Sequence, residues 1–242
     1  MYFEEYGDRE KPTIVMLHGA FFTGAFRKQY SLGDRYHLVL PHIKGFGKAA
    51  AETFTADEAA AELKAWIRPY APVNLVGFSL GAQLAFRLLS EAPEQFRRAV
   101  IVSPWLTEKE KIPADIVRGN LKMLSQLQNQ SFCRMTGFFM GLPKQERKDL
   151  LASMQLVSEK TVENSVDNHI SFEAFPGFSQ VRVPVLALAG AKEPEAVVCS
   201  VKRMAELNAH CTCELWEKAK HNIPIRFAKR FRQRLEDFFG GV

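Results

Sequence analysis

One stretch constrains the fold more than any other: Val73-Asn74-Leu75-Val76-Gly77-Phe78-Ser79-Leu80-Gly81-Ala82-Gln83-Leu84-Ala85-Phe86. It reads as a short apolar strand, a tight turn with a serine at its tip, and a helix that begins at once. The turn spells Gly-x-Ser-x-Gly. Such a pentapeptide arises by chance in roughly one chain in twelve of this length, so its weight comes from its setting. Between a buried strand and an apolar helix it has the form of a nucleophile elbow, which holds the serine in a strained conformation with its hydroxyl exposed. Gly77 and Gly81 lack a Cβ, which lets strand and helix pass close to each other. The helix start offers free N–H groups and the positive end of a dipole where an oxyanion would form.

The rest of the chain repeats the strand–helix alternation. Residues 1–6 form a short strand and Gly7 to Pro12 a polar turn. Thr13-Ile14-Val15-Met16-Leu17 is a continuous apolar run, expected of a strand buried on both faces, and it runs into His18-Gly19-Ala20-Phe21. Residues 35–40 make another strand, followed by the glycine-rich loop 41–47. A helix capped by Thr55 or Asp57 continues to Ile67. Further strands are expected at 98–103, 183–190 and 212–216, with a helix from Glu195 to Leu207 between the last two. Ile225, Phe227, Ala228, Phe231, Leu235, Phe238 and Phe239 then predict one closing amphipathic helix. This order implies a mostly parallel central sheet with helices on both faces.

Between Pro104 and Val181 strand-like runs give way to helical spacing. Ile116, Leu121, Leu124 and Leu127 form one set, and Leu150, Leu151, Met154 and Val157 another. Phe132, Met135, Phe138, Phe139 and Met140 form a dense aromatic and methionine cluster. The expected organisation is one structural domain: a core of residues 1–103 and 182–242 with residues 104–181 inserted as a helical cap.

Composition narrows the function classes. The 242 residues are 47% hydrophobic and 24% charged, as in a globular chain. The apolar runs are too short to span a bilayer, and no signal peptide is visible at the N-terminus. Cys133, Cys199, Cys211 and Cys213 have no disulfide or zinc-site spacing, so a cytoplasmic location is the expectation. Much of the net charge of +5 falls late, in Lys218, Lys220, Arg226, Lys229, Arg230, Arg232 and Arg234. These read as the solvated face of the last helix, not a nucleic-acid surface, because Glu236 and Asp237 interrupt them.

In a parallel sheet of this kind, reactive groups gather beyond the carboxyl ends of the strands. His18-Gly19, Ser79, Glu193 and His221 all fall there. A serine hydroxyl needs a base within hydrogen-bond reach, and that base needs an orienting carboxylate. Of six histidines (His18, His37, His42, His169, His210 and His221), only His221 arrives late, on a loop after the last strand. Glu193, in Gly190-Ala191-Lys192-Glu193-Pro194, follows the preceding strand, with Glu195 a rival two residues on. The order is Ser79, Glu193, His221.

With that order in place the chain resembles the α/β-hydrolase superfamily, from the strand before His18-Gly19 to the last helix. The resemblance implies Ser79 as nucleophile, His221 as general base and Glu193 as acid. It implies an oxyanion hole of the Leu80 and Ala20 N–H groups, with Phe21 an alternative donor, and a supporting role for His18 in that loop. The sequence departs from the family pattern in carrying glutamate where aspartate is usual, and Lys48 in place of the serine of the common Gly-x-Gly-Ser loop. A short N-terminus suggests a sheet without its first strand.

The expected reaction is hydrolysis of a small carboxylic ester or thioester through an acyl-enzyme. Phe21 and Phe78 would contact the substrate, and no metal or organic cofactor is implied. Arg27, Lys44 and Lys48 lie on loops near the active edge and could meet a carboxylate. The rival readings are a C–C bond hydrolase or lyase/synthase of the menaquinone-pathway type, which would need a basic carboxylate-binding pocket, and a non-catalytic small-molecule binder. The partner is a small molecule, with neither nucleic acid nor membrane, and the protein is expected as monomer or homodimer.

Overall fold

The computed structural model describes residues 1–108 and 111–240. Among these, seven strands form one sheet: β1 (Tyr2–Tyr6), β2 (Thr13–Leu17), β3 (His37–His42), β4 (Val73–Phe78), β5 (Phe96–Val102), β6 (Val185–Gly190) and β7 (Cys211–Trp216). Their order is β1-β3-β2-β4-β5-β6-β7. Only β1 runs against its neighbour; the other pairings are parallel. The expected strands at 35–40 and 98–103 are displaced by about two residues. The first is shifted because Arg35 and Tyr36 close the preceding turn onto Leu32.

The helices are α1 (Ala56–Ile67), α2 (Leu80–Glu91), α3 (Ile116–Gln128), α4 (Gln130–Phe139), α5 (Lys144–Met154), α6 (Glu159–Asp167), α7 (Glu195–Leu207), α8 (Ile223–Arg226) and α9 (Ala228–Gly240). Thr55 caps α1, its side chain accepting from the Glu58 N–H. Successive residues of a strand point to opposite faces, and the two faces carry separate cores. Val15, Leu17, Leu75 and Ala187 meet Ala59, Leu63, Leu84, Phe86 and Val201 of α1, α2 and α7. Ile14, Met16, Val76 and Leu188 meet Phe26, Ile223, Phe231 and Leu235 on the other side. The continuous apolar runs of β2 and β6 are thus explained: every residue in them is buried, as is every residue of β4, its one polar member Asn74 included.

Helices α3–α6 lie between β5 and β6 in the chain. Leu124, Leu127, Cys133, Leu150, Met154, Val157 and Val162 join the core on the α2 face. Their neighbours Met135, Phe138 and Phe139 stay exposed, the last at 73%. No helix among the described residues is long and apolar enough to cross a membrane.

The closing helix expected over residues 225–239 is in fact two. Phe227 leaves helical geometry at φ −110° and ψ 30°, and its ring packs on Trp216 with centroids 6.0 Å apart. The break lets Phe231 and Leu235 sink into the core while Ile225 and Arg226 turn to a cavity at the carboxyl ends of the strands.

Candidate active site

The turn after β4 is built by what its neighbours lack. A Cβ on Gly77 would lie 2.4 Å from the Gly81 carbonyl oxygen. One on Gly81 would lie 2.1 Å from the carbonyl oxygen of Leu17 and 2.6 Å from that of His18. Ser79 sits between them at φ 55° and ψ −117°, a conformation L-residues rarely hold and one that costs about 1–3 kcal/mol. Its N–H donates to the Val102 carbonyl at 3.0 Å, which ties the turn to β5. The strained turn expected at this position is therefore present.

Two other loops close on the serine. A bond from the Lys192 N–H to the Ala219 carbonyl (3.1 Å) clamps the segment after β6 to the one after β7. Gly190 permits the approach, since its Cβ would meet the Ala219 oxygen at 2.3 Å. The clamp brings Glu193 Oε2 to 2.6 Å from His221 Nδ1, and His221 Nε2 to 2.9 Å from Ser79 Oγ. The three residues form one continuous hydrogen-bonded chain. Glu195 is exposed in the first turn of α7.

Glu193 Oε1 is engaged separately. It accepts from the Ser103 hydroxyl and from the Gly190 N–H, each at 2.7 Å. Burial pushes this carboxyl up; the bonds from His221, Gly190 and Ser103 outweigh it and hold the group below the usual carboxylate range. Ser103 follows β5 at φ 54° and is fully buried. Sequence reasoning missed it, because a serine after a strand carries no signal of its own.

His18 lies beside this chain and outside it. Its Nε2 accepts from the Ile43 N–H at 3.0 Å, so the ring proton is on Nδ1, which donates to the Gly19 carbonyl at 2.6 Å. Burial pushes its pKa down to about 3, and the ring is neutral. The loop it braces runs against the serine: a Cβ on Gly19 would lie 3.1 Å from Ser79 Cβ. Phe21 holds a positive φ of 68°, and the Phe22 N–H takes up the Ala20 carbonyl at 2.9 Å. Leu80 opens α2, so its N–H has no carbonyl one turn behind it in the helix.

Three of the other histidines are occupied elsewhere, and His210 stands at the far end of the sheet, just before β7. His37 contacts Thr13 Oγ1 and Glu5. His42 accepts from the Lys48 N–H. His169 contacts the Thr107 carbonyl from the cavity wall.

Ser79 and His221 open onto a cavity of about 940 Å³. Ala20, Phe21, Phe22, Phe78 and Leu80 line it near the serine turn. Trp105, Ile116, Met123, Phe132, Phe139 and Met140, from the segment between β5 and β6, line it too. Phe78 also supports the His221 ring, with centroids 5.2 Å apart. The loop cations considered from sequence are elsewhere: Arg27 pairs with Glu146, Lys48 with Glu4, and Lys44 with Glu52, Glu58 and Glu62. None of the three lines the cavity.

A family model described as alpha/beta hydrolase fold matches residues 12–228. The carboxylesterase YbfK of Bacillus subtilis is 22% identical over 250 residues, covering 98% of this chain and 83% of that protein. The biotin biosynthesis bifunctional protein BioHC of Teredinibacter turnerae is 26% identical over 179 residues, covering 68% of this chain and only 30% of that protein. Among solved structures, an esterase from Exiguobacterium antarcticum superposes with a TM-score of 0.77 at 19% identity, covering 99% of this chain and 95% of the other. The shared architecture in that last comparison is the fold.

Proposed function

The chain belongs to the α/β-hydrolase fold family and is carboxylesterase-like, and we propose that it cleaves a small carboxylic ester or thioester through Ser79, His221 and Glu193. The observation that carries this reading is the unbroken chain from Ser79 Oγ through His221 to Glu193, at 2.9 Å and 2.6 Å. Each link has a chemical duty. His221 Nε2 takes the Ser79 proton as the hydroxyl attacks the substrate carbonyl. Glu193 holds the imidazole with its proton on Nδ1 and stabilises the imidazolium that forms.

The tetrahedral oxyanion lies against the Leu80 N–H and that of Ala20, with Phe21 the alternative second donor. Loss of one such donor typically costs about 3–4 kcal/mol of transition-state stabilisation. His221 then hands its proton to the departing alcohol or thiol, leaving an ester on Ser79. Water attacks that ester with His221 again as base, and the acid leaves as the serine is restored. Helices α3–α6 act as a cap whose apolar side chains, with Phe21 and Phe78, receive the acyl group.

The synthase-type alternative calls for a basic pocket. Among the described residues lining this cavity, Arg226 alone carries a permanent charge, which favours an ester with a mainly apolar skeleton. The experiment is a panel of p-nitrophenyl esters and acyl thioesters of increasing chain length. Hydrolysis that is lost in Ser79→Ala is the expected result. No turnover of any member by a folded protein is the contrary one.

A further inference from the structure

We propose that Arg226 is a specificity residue of the cavity, and that the substrate carries a carboxylate at the end of its apolar skeleton. The inference rests on the hydrolase reading above and adds the class of ester.

Arg226 ends α8, the short helix that begins two residues after His221. Its N–H bonds to the Asn222 carbonyl at 2.9 Å, so it stands one helical turn, about 5.4 Å along the axis, from a residue adjoining His221. Asn222, Ile225 and Arg226 line the same cavity as Ser79.

Its electrostatic setting is distinctive. The three loop cations singled out from the sequence are spent on the protein: Arg27 on Glu146, Lys44 on three glutamates, Lys48 on Glu4 and Tyr2. None of them lines the cavity, and Arg226 does. Arg226 has no ion pair and no side-chain hydrogen bond among the described residues. Arg226 is exposed, at the solvent side of the cavity, and no aspartate or glutamate lines the cavity with it.

Arginine presents a planar fork of donors suited to a carboxylate, taken in two parallel bonds. A cavity of about 940 Å³ with apolar walls and one arginine fits a half-ester of a dicarboxylic acid. The alkyl chain lies on Phe, Trp and Met side chains. One end reacts at Ser79 and the other is held by Arg226. A neutral ester of the same length leaves the guanidinium in water and forgoes that interaction.

The test uses two p-nitrophenyl alkylphosphonates of equal chain length, one ending in a methyl group and one in a carboxylate. Each phosphonylates an activated serine, a P–O bond to Ser79 forming as the P–O bond to p-nitrophenolate breaks, and the adduct is located by mass spectrometry. The expected result is labelling of Ser79 by both, faster with the carboxylate probe by about threefold to tenfold, the scale of one solvent-accessible charge-assisted pair. In Arg226→Gln the ratio of the two rates falls to about one, and in Arg226→Glu it falls below one. Labelling of Ser79 with a wild-type ratio under about threefold, or a preference that survives in Arg226→Gln, overturns the assignment of Arg226 and leaves the hydrolase reading standing. Failure of both probes to label Ser79 overturns the hydrolase reading, and the substrate class with it.

Discussion

The hydroxyl of Ser103 donates to Glu193 Oε1 at 2.7 Å, on the oxygen opposite the one that meets His221. Ser103 reaches it because β5 and β6 are neighbours in the sheet, with Val102 paired to Leu188. The carboxylate is thereby gripped at both oxygens, and its orientation toward His221 is set from outside the Ser79–His221–Glu193 chain.

Ser103→Ala removes one of the two donors to Oε1. The carboxylate loses a bond that helps hold its pKa down, and its aim at His221 loosens. A hydrogen bond to a charged group is worth about 1.5–3 kcal/mol, so kcat/KM for an ester should fall by about an order of magnitude. The acidic limb of the kcat/KM profile should move to higher pH, a shift that loss of packing alone would not produce.

Glu193→Gln keeps the shape and removes the charge. The amide can present its N–H₂ to Nδ1 and so favour the wrong imidazole tautomer. A loss of about 10³–10⁴ in kcat is expected. Glu195→Gln, on the exposed side of α7, should stay within about twofold of the wild type. Equal losses in the two variants would contradict the assignment of the acid.

His18 gives a pH dependence of stability with a definite sign. Its folded-state pKa is about 3, against an ordinary value of 6.5. Above pH 6.5 it is neutral in both states and contributes no slope. Between 6.5 and 3 the unfolded chain takes a proton that the folded chain refuses, so acidification destabilises the fold by up to about 1.4 kcal/mol per pH unit. His18→Leu should be less stable at pH 7 by about 1–3 kcal/mol, because the Ile43 N–H loses its acceptor. Its stability between pH 6 and 4 should fall less steeply than that of the wild type, by close to one proton. Urea unfolding at several pH values measures both.

Gly81→Ala places a methyl group 2.1 Å from the Leu17 carbonyl oxygen. Leu17 is paired to Gly77 in the sheet, so neither side yields cheaply. Destabilisation of about 3 kcal/mol or more is expected. Gly119→Ala, in α3 with nothing within 4 Å of the added Cβ, should instead stabilise by about 0.5–1 kcal/mol.

The convergence of Ser79, Glu193 and His221 was legible because each follows a strand whose apolar run is visible locally, and parallel strands deliver such ends to one edge. Ser103 was not legible, since its contact depends on which strands are neighbours. Arg226 was hidden for another reason. The spacing from Ile225 to Phe239 fits one helix, but Phe227 leaves helical geometry where its ring packs on Trp216, and Arg226, just before the break, lines the cavity. Arg27, Lys44 and Lys48 lie in the connections after β2 and β3 where sequence put them, Arg27 and Lys48 within short 3-10 helical turns, but their acidic partners come from distant segments, or in Lys44's case from α1 and the turn before it.

The proposed hydrolysis requires Ser79 to be an activated nucleophile. The decisive experiment is to treat the purified protein with a fluorophosphonate and map the adduct by mass spectrometry, with Ser79→Ala as control. One adduct is expected, on Ser79 and absent from the variant. An unlabelled Ser79 under conditions that fully label a known serine hydrolase would refute the activation.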